Sequence, residues 1–246
     1  MNFLKGSLFR RNTEPEELEP MEESGGGILA VWGSPGCGKT VTAVKIAKHL
    51  AAQKKNTVLL LCDMTAPMMP CICPPSELEV DKSLGSIFAA QRISVNLIKH
   101  NLTTLKRLPH LTMLGLRKKE NEYTYAPCTK QQAEELIRGL REIVPYVVID
   151  CSSYIANDIL SAVALMEADS VLQLASCDLK SVGYLSSQLP LLGELKWDKD
   201  KQYRDILTDK NRWLRRMFFC LIGMLAVISF LLIVDFINPT IGVFHT

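Results

Sequence analysis

The run Gly33-Ser34-Pro35-Gly36-Cys37-Gly38-Lys39-Thr40 constrains this 246-residue chain more than any other feature. It has the spacing G-x-x-x-x-G-K-[ST] of a phosphate-binding loop. The apolar stretch Ile28–Trp32 precedes it, and a helix-forming segment, Lys39 to about Ala52, follows. The glycines let the backbone turn tightly and aim its N–H groups inward. Together with the positive end of the helix, those donors make a cradle for a di- or triphosphate. Residues Gly33, Ser34, Pro35, Gly36, Cys37, Gly38, Lys39, Thr40 and Val41 are therefore the expected nucleotide-binding segment. Within it Lys39 reaches the β- and γ-phosphates, and Thr40 is a ligand for the bridging Mg2+.

Beyond the loop, strand-like and helix-like segments alternate. Thr57–Cys62 reads as a strand ending in Asp63, and Leu84–Lys99 as a helix. Residues 65–80 contain Pro67, Pro70, Pro74 and Pro75 and read as an irregular loop. Leu111–Leu114 is strand-like. Thr129-x-x-Gln132 has the form of a capping box, and Ala133, Leu136, Ile137, Leu140 and Ile143 follow at helical spacing until Pro145. Tyr146–Ile149 is a continuous apolar strand ending in Asp150. A helix over about Ala156–Met166 then leads to the strand Ser170–Ala175. This alternation predicts an α/β fold of P-loop NTPase type, a mostly parallel sheet flanked by helices. Ligands in such sheets sit at the carboxyl ends of the strands. Gly33, Asp63 and Asp150 each fall at such an end, and the two aspartates join Thr40 as the expected Mg2+ side of the site.

The bulk properties narrow the function classes. Lysine and arginine total 28 against 26 acidic residues, a balance that gives no polyanion-binding signal, so no nucleic-acid partner is expected. The eight cysteines are scattered rather than framed for disulfides, which suits a reducing cytoplasm. The start of the chain lacks the sustained apolar region of a secretory signal. Residues 1–25 read as a flexible N-terminal tail ending in Gly25-Gly26-Gly27.

Met217–Val234 carries no charge and has the length of a membrane-spanning helix. Lys210, Arg212, Arg215 and Arg216 lie just before it, with Trp213 among them, a collar suited to the cytoplasmic side of a bilayer. The expected organisation is thus a tail over 1–25, a nucleotide-binding domain over 26–205 and a basic juxtamembrane linker over 206–216. A transmembrane helix over 217–236 and a short tail over 237–246 follow. The domain is expected to be cytoplasmic, anchored in the cell membrane by that helix.

Three elements make residues 26–205 resemble the MinD/ParA group of P-loop ATPases, including CpaE-like proteins. They are the loop Gly33–Thr40, the strand Val58–Asp63, and Tyr146-Val-Val-Ile-Asp150-Cys-Ser-Ser followed by Ala168-Asp169-Ser-Val-Leu. The resemblance implies an ATP- and Mg2+-dependent switch that forms a homodimer and engages a membrane or a pilus or secretion machine. Two departures stand out. The family's signature lysine, second in the loop, is replaced by Ser34. The family's Asp-x-Asp on the second strand is reduced to Asp63, and Asp63-Met64-Thr65-Ala66-Pro67 also resembles a motif of bacterial tyrosine kinases.

The resulting expectation is an ATPase in which Lys39, Asp63 and Asp150 carry the chemistry: Lys39 holds phosphates, Asp150 organises Mg2+ and Asp63 orients water or the metal shell. Without the signature lysine, turnover is expected to be slow or partner-dependent. A membrane-tethered adaptor that binds nucleotide without turnover is the alternative, and a tyrosine-kinase-like phosphotransferase is a third reading.

Overall fold

The computed structural model describes residues 26–79, 81–194 and 201–207. The tail 1–25, the basic linker beyond residue 207, the apolar segment 217–236 and the tail 237–246 lie outside those residues. Among the described residues no helix is long and apolar enough to cross a membrane.

Seven strands form one sheet: β1 (Gly27–Gly33), β2 (Thr57–Leu61), β3 (Thr103–Leu105), β4 (Leu108–Leu114), β5 (Tyr146–Asp150), β6 (Ser170–Ser176) and β7 (Gln202–Leu207). Their spatial order is β3-β4-β2-β5-β1-β6-β7. Every neighbouring pair is parallel except β3–β4, an antiparallel edge hairpin. Strand β7 continues past residue 205 to Leu207. The helices are α1 (Lys39–Ala52), α2 (Met69–Ile72), α3 (Leu84–Phe88), α4 (Val95–Asn101), α5 (Lys130–Ile143), α6 (Ile159–Glu167) and α7 (Leu179–Glu194).

The central strands are apolar throughout because helices cover both faces. Alternation along each strand divides them between two cores. Ile28, Ala30 and Trp32 of β1, Val58 and Leu60 of β2, and Val147 and Ile149 of β5 pack with Leu136, Leu140, Leu160 and Val163. Val31, Leu59, Leu61 and Val148 face the other way, against Ala43, Ala47 and Ala51 of α1. Those three alanines recur every four residues and let α1 lie close on the sheet.

The capping box at Thr129 and Gln132 is present and starts α5. The single helix expected over Leu84–Lys99 is instead two. Helix α3 ends at Phe88, and Ser94 opens α4 by accepting a hydrogen bond from Leu97 N–H at 3.2 Å. Turn residues with their own caps outcompete a continuous helix here. The proline-rich loop 65–80 contains α2 and one 3-10 turn, Pro75–Glu77. Prolines occupy the first turn of each, where the missing N–H has no helical partner to lose.

Candidate nucleotide-binding site

The loop joins β1 to α1 at the carboxyl edge of the sheet. A side chain at Gly33 would place its Cβ 2.0 Å from the Leu174 carbonyl oxygen on β6, so only glycine fits. Gly38 caps α1 in the left-handed region, φ 89°, and supplies no side chain to the helix terminus. The first-turn N–H groups are therefore free of a side-chain cap and turn toward the mouth of the loop.

Lys39 lies across this mouth. Its Nζ donates to the Ser153 hydroxyl at 2.5 Å and to the Ser34 carbonyl at 3.3 Å. Ser153 follows β5 and its hydroxyl donates onward to the Gly33 carbonyl at 3.3 Å. Ser34, replacing the signature lysine, is wholly buried, and its hydroxyl shares a 2.6 Å hydrogen bond with the Ser181 hydroxyl on α7. Its side chain thus points into the fold and away from the loop mouth.

Strand alternation directs Asp150 to the α1 side, beside Thr40. Its carboxylate is 2% exposed, and Oδ1 is buried with no hydrogen-bond partner. Burial pushes its pKa up to about 6, while the Thr40 hydroxyl and the charge of Lys39 pull it down and Asp63 adds to the rise. A buried, unpartnered carboxylate oxygen next to a hydroxyl is a donor set for a hard, oxygen-seeking cation. The residues therefore fit Mg2+ held by Thr40 and Asp150 in company with phosphate oxygens. Among the described residues no cluster of three or more His, Cys, Asp or Glu side chains forms a self-sufficient metal site.

Asp63 is half-buried just past β2. Its Oδ1 accepts from the Thr65 and Ala66 N–H groups at 2.9 and 3.0 Å, an Asx turn that shapes the following loop. The structure thus brings Lys39, Thr40 and Asp150 together and places Asp63 on the neighbouring strand end, with one oxygen committed to the backbone.

A cavity of about 690 Å3 flanks the cradle, lined by residues that follow both aspartates, Met64, Thr65, Ser152 and Asp158, and by Tyr125 and Tyr154. No residue of Gly33–Thr40 lines it. Asp158 caps α6 through the Ser161 N–H at 3.3 Å, and burial raises its pKa. Cys62 and Cys151 are buried at adjacent strand ends, and burial pushes both thiols well up, which keeps them protonated and unreactive.

Sequence reasoning missed Ser153, Ser181 and Tyr184. Ser153 is three residues past Asp150, a position from which a loop side chain can reach the phosphate loop. Ser181 and Tyr184 carry no local signal, since only the crossover after β6 lays α7 beside the loop.

This sheet order, with a glycine-rich loop between the central strand and its helix and a buried aspartate on the adjacent strand end, defines a P-loop NTPase. A family model described as an AAA domain matches residues 29–202. The chain belongs to that family, the P-loop ATPases of the MinD/ParA type. No curated protein matches the chain. Among solved structures, a ParA family ATPase from Chlorobium tepidum TLS is similar, with TM-score 0.61 and 14% identity over 73% of each chain. MinD from Pyrococcus horikoshii OT3, solved with Mg-ADP, has TM-score 0.54 and 13% identity, covering 72% of this chain and 67% of its own. The kinase domain of the Escherichia coli tyrosine kinase ETK has TM-score 0.56 and 13% identity over 77% and 71%. At these identities the likeness speaks to fold.

Proposed function

We propose that this chain binds MgATP in the Gly33–Thr40 cradle and hydrolyses it slowly, as a nucleotide-dependent switch or regulator. The observation that carries the reading is the buried, unpartnered Oδ1 of Asp150 beside Thr40 and Lys39. Backbone N–H groups and Lys39 bind and orient the phosphates, Thr40 and Asp150 hold the ion, and Asp63 positions water at the edge of the cradle. When bound, Mg2+ spreads the negative charge that develops on the phosphates. Catalysis of this kind is positioning and charge stabilisation. Ser34 supplies no cation, so turnover is slow until a partner contributes one. In the same reading the chain pairs with a second copy, is anchored by residues 217–236 in the cell membrane with its ATPase domain in the cytoplasm, and signals to a pilus, secretion or other protein machine.

Phosphate release by the full chain with MgATP tests this reading. The expected result is slow turnover that drops at least tenfold in Asp63→Ala while nucleotide affinity stays within about threefold. Nucleotide binding with no turnover under any condition would favour the membrane-tethered adaptor, a reading supported by the inward-facing Ser34. The fold likeness to the ETK kinase domain supports the phosphotransferase reading. Phosphotyrosine found by mass spectrometry after incubation with MgATP would establish it. Fractionation of the full chain beside one ending at residue 210, with and without ATP, tests the membrane anchor. Both forms staying soluble would exclude it.

A further inference from the structure

The cavity of about 690 Å3 beside the cradle has no part in the nucleotide chemistry above. Its lining comes from the segments that leave β2 and β5, from residues 122–128 ahead of α5, and from Phe88 at the end of α3. Its volume lies within the range of ligand pockets, about 300–1,000 Å3. Among the described residues the lining holds the aromatic rings of Phe88, Tyr123, Tyr125 and Tyr154, the carboxylates of Glu122 and Asp158, and no lysine, arginine or histidine. Neither carboxylate has a cationic partner among the described residues.

The walls are built rather than incidental. The Tyr125 ring lies against Gly85, where an added Cβ would meet its Cε2 at 1.9 Å. Its hydroxyl donates to Glu120 Oε1 at 2.6 Å and accepts from Arg117 Nη2 at 3.3 Å. The Arg117 charge at that end is taken up by its ion pair with Glu120. The segment carrying Tyr154 is tied at two points: Ser152 Oγ accepts the Tyr154 N–H at 3.1 Å, and the Ser153 carbonyl accepts the Tyr184 hydroxyl from α7. The Tyr154 side chain still stands 64% exposed, and Tyr123 88%. Asp158 is half-buried, with Oδ1 accepting the Ser161 N–H at 3.3 Å and Oδ2 the Ser161 hydroxyl at 2.5 Å. These bonds fix the carboxylate and leave each oxygen a further lone pair.

We propose that this cavity is a docking site for an arginine-bearing peptide segment of a partner protein, with the tyrosines stacking on the guanidinium and Glu122 and Asp158 supplying the countercharge. An anionic ligand would meet two carboxylates and no cation. A neutral apolar ligand would cover those carboxylates without pairing them, which is costly. A cation is drawn by the ring faces and by the carboxylates together. Arginine fits better than lysine, because its plane stacks on a tyrosine while its edge offers paired N–H donors to a carboxylate. Its apolar stem suits the Phe88 and Met64 walls. One side chain fills only part of the volume, so neighbouring residues of the segment occupy the rest. Tyrosine and arginine are also the residues that protein interfaces enrich. No residue of Gly33–Thr40 lines the cavity, so this docking does not depend on nucleotide.

A fluorescein-labelled hexa-arginine peptide, titrated into the full chain and followed by anisotropy without nucleotide, tests the proposal. It should bind, and the matching hexa-citrulline peptide, of the same shape without charge, should bind at least tenfold more weakly. Tyr154→Ala and Glu122→Gln, both at exposed positions that the fold does not need, should each weaken hexa-arginine binding about threefold or more. Glu142→Gln, an exposed carboxylate on α5 outside the cavity, should leave it unchanged. Wild-type affinity in both Tyr154→Ala and Glu122→Gln overturns the proposal, as does equal binding of the citrulline peptide. Agmatine displacing the peptide at concentrations below the peptide's own dissociation constant overturns the peptide assignment and makes the cavity a site for a small organic cation. Because nucleotide is absent throughout, these outcomes stand whether or not the cradle takes MgATP.

Discussion

The Ser34 hydroxyl and the Ser181 hydroxyl meet at 2.6 Å, which fastens the second residue of the phosphate loop to α7. Ser181 also accepts the Ser176 N–H at 3.1 Å, so one serine ties the loop, the end of β6 and the start of α7 together. Ser181→Ala leaves two donors or acceptors without partners in a nearly dry position. The expected cost is about 1–3 kcal/mol in chemical denaturation. An unchanged midpoint would show that the Ser34 side chain has no fixed place.

Lys39→Ala should abolish the rise in melting temperature that MgATP gives the full chain. Its ligand-free stability should change by no more than about 1 kcal/mol, since its partners Ser153 and Ser34 keep their other contacts. Differential scanning fluorimetry with and without MgATP reads both quantities.

Asp150 gives the ligand-free protein a pH dependence of definite sign. Burial raises its pKa from the ordinary 3.8 to about 6. Between those values the folded chain binds more protons than the unfolded chain, so stability falls as pH rises through this window. The loss is on the order of 2–3 kcal/mol. Asp150→Asn should flatten that slope and weaken Mg2+-dependent nucleotide binding. At pH 5, MgADP binding to the wild type should release a proton, seen as a dependence of calorimetric heat on buffer ionisation enthalpy.

Gly33→Ala should be among the most damaging single substitutions. The new methyl meets the Leu174 carbonyl at 2.0 Å, and β1 and β6 are held in register by the sheet ladder, so neither side can yield. A loss of about 3 kcal/mol is expected from overpacking against backbone. Thermal unfolding monitored by circular dichroism checks it.

Glu120 organises the segment that follows β4. It is 7% exposed and accepts from Arg117 Nε at 2.6 Å, Tyr125 OH at 2.6 Å and the Ser83 hydroxyl. Burial alone raises its pKa, but the hydrogen bonds from Ser83, Tyr125 and Arg117 outweigh it and leave the pKa lowered. Its contribution is therefore present above the unfolded value and is lost as pH falls, opposite in sign to Asp150. Glu120→Gln should cost about 1–3 kcal/mol at pH 7 by weakening the hydrogen bonds it accepts from Ser83, Tyr125 and Arg117. It should also speed amide exchange over residues 117–125, measured by hydrogen–deuterium exchange.

The phosphate loop, the central strands, α1, the capped helix α5 and the mostly parallel sheet were legible in the chain because each rests on local chemistry: glycine spacing, apolar runs, a capping box. The positions of Asp63 and Asp150 at strand ends followed from the same pattern. The break between α3 and α4 was not legible, because Ser94 competes with helix propensity over a single turn. Nor was the edge strand β3, whose pairing with β4 depends on a register irregularity at Thr104 and Leu105.

By itself the sequence determined where the loop turns, since a backbone that curls this tightly needs glycines in fixed places and nothing from afar. Only the tertiary structure decided which way Ser34 faces, what holds Lys39, and that an oxygen of Asp150 stays buried without a partner. Those outcomes depend on β5, β6 and α7, which lie more than 100 residues along the chain from the loop and reach it only when the sheet assembles.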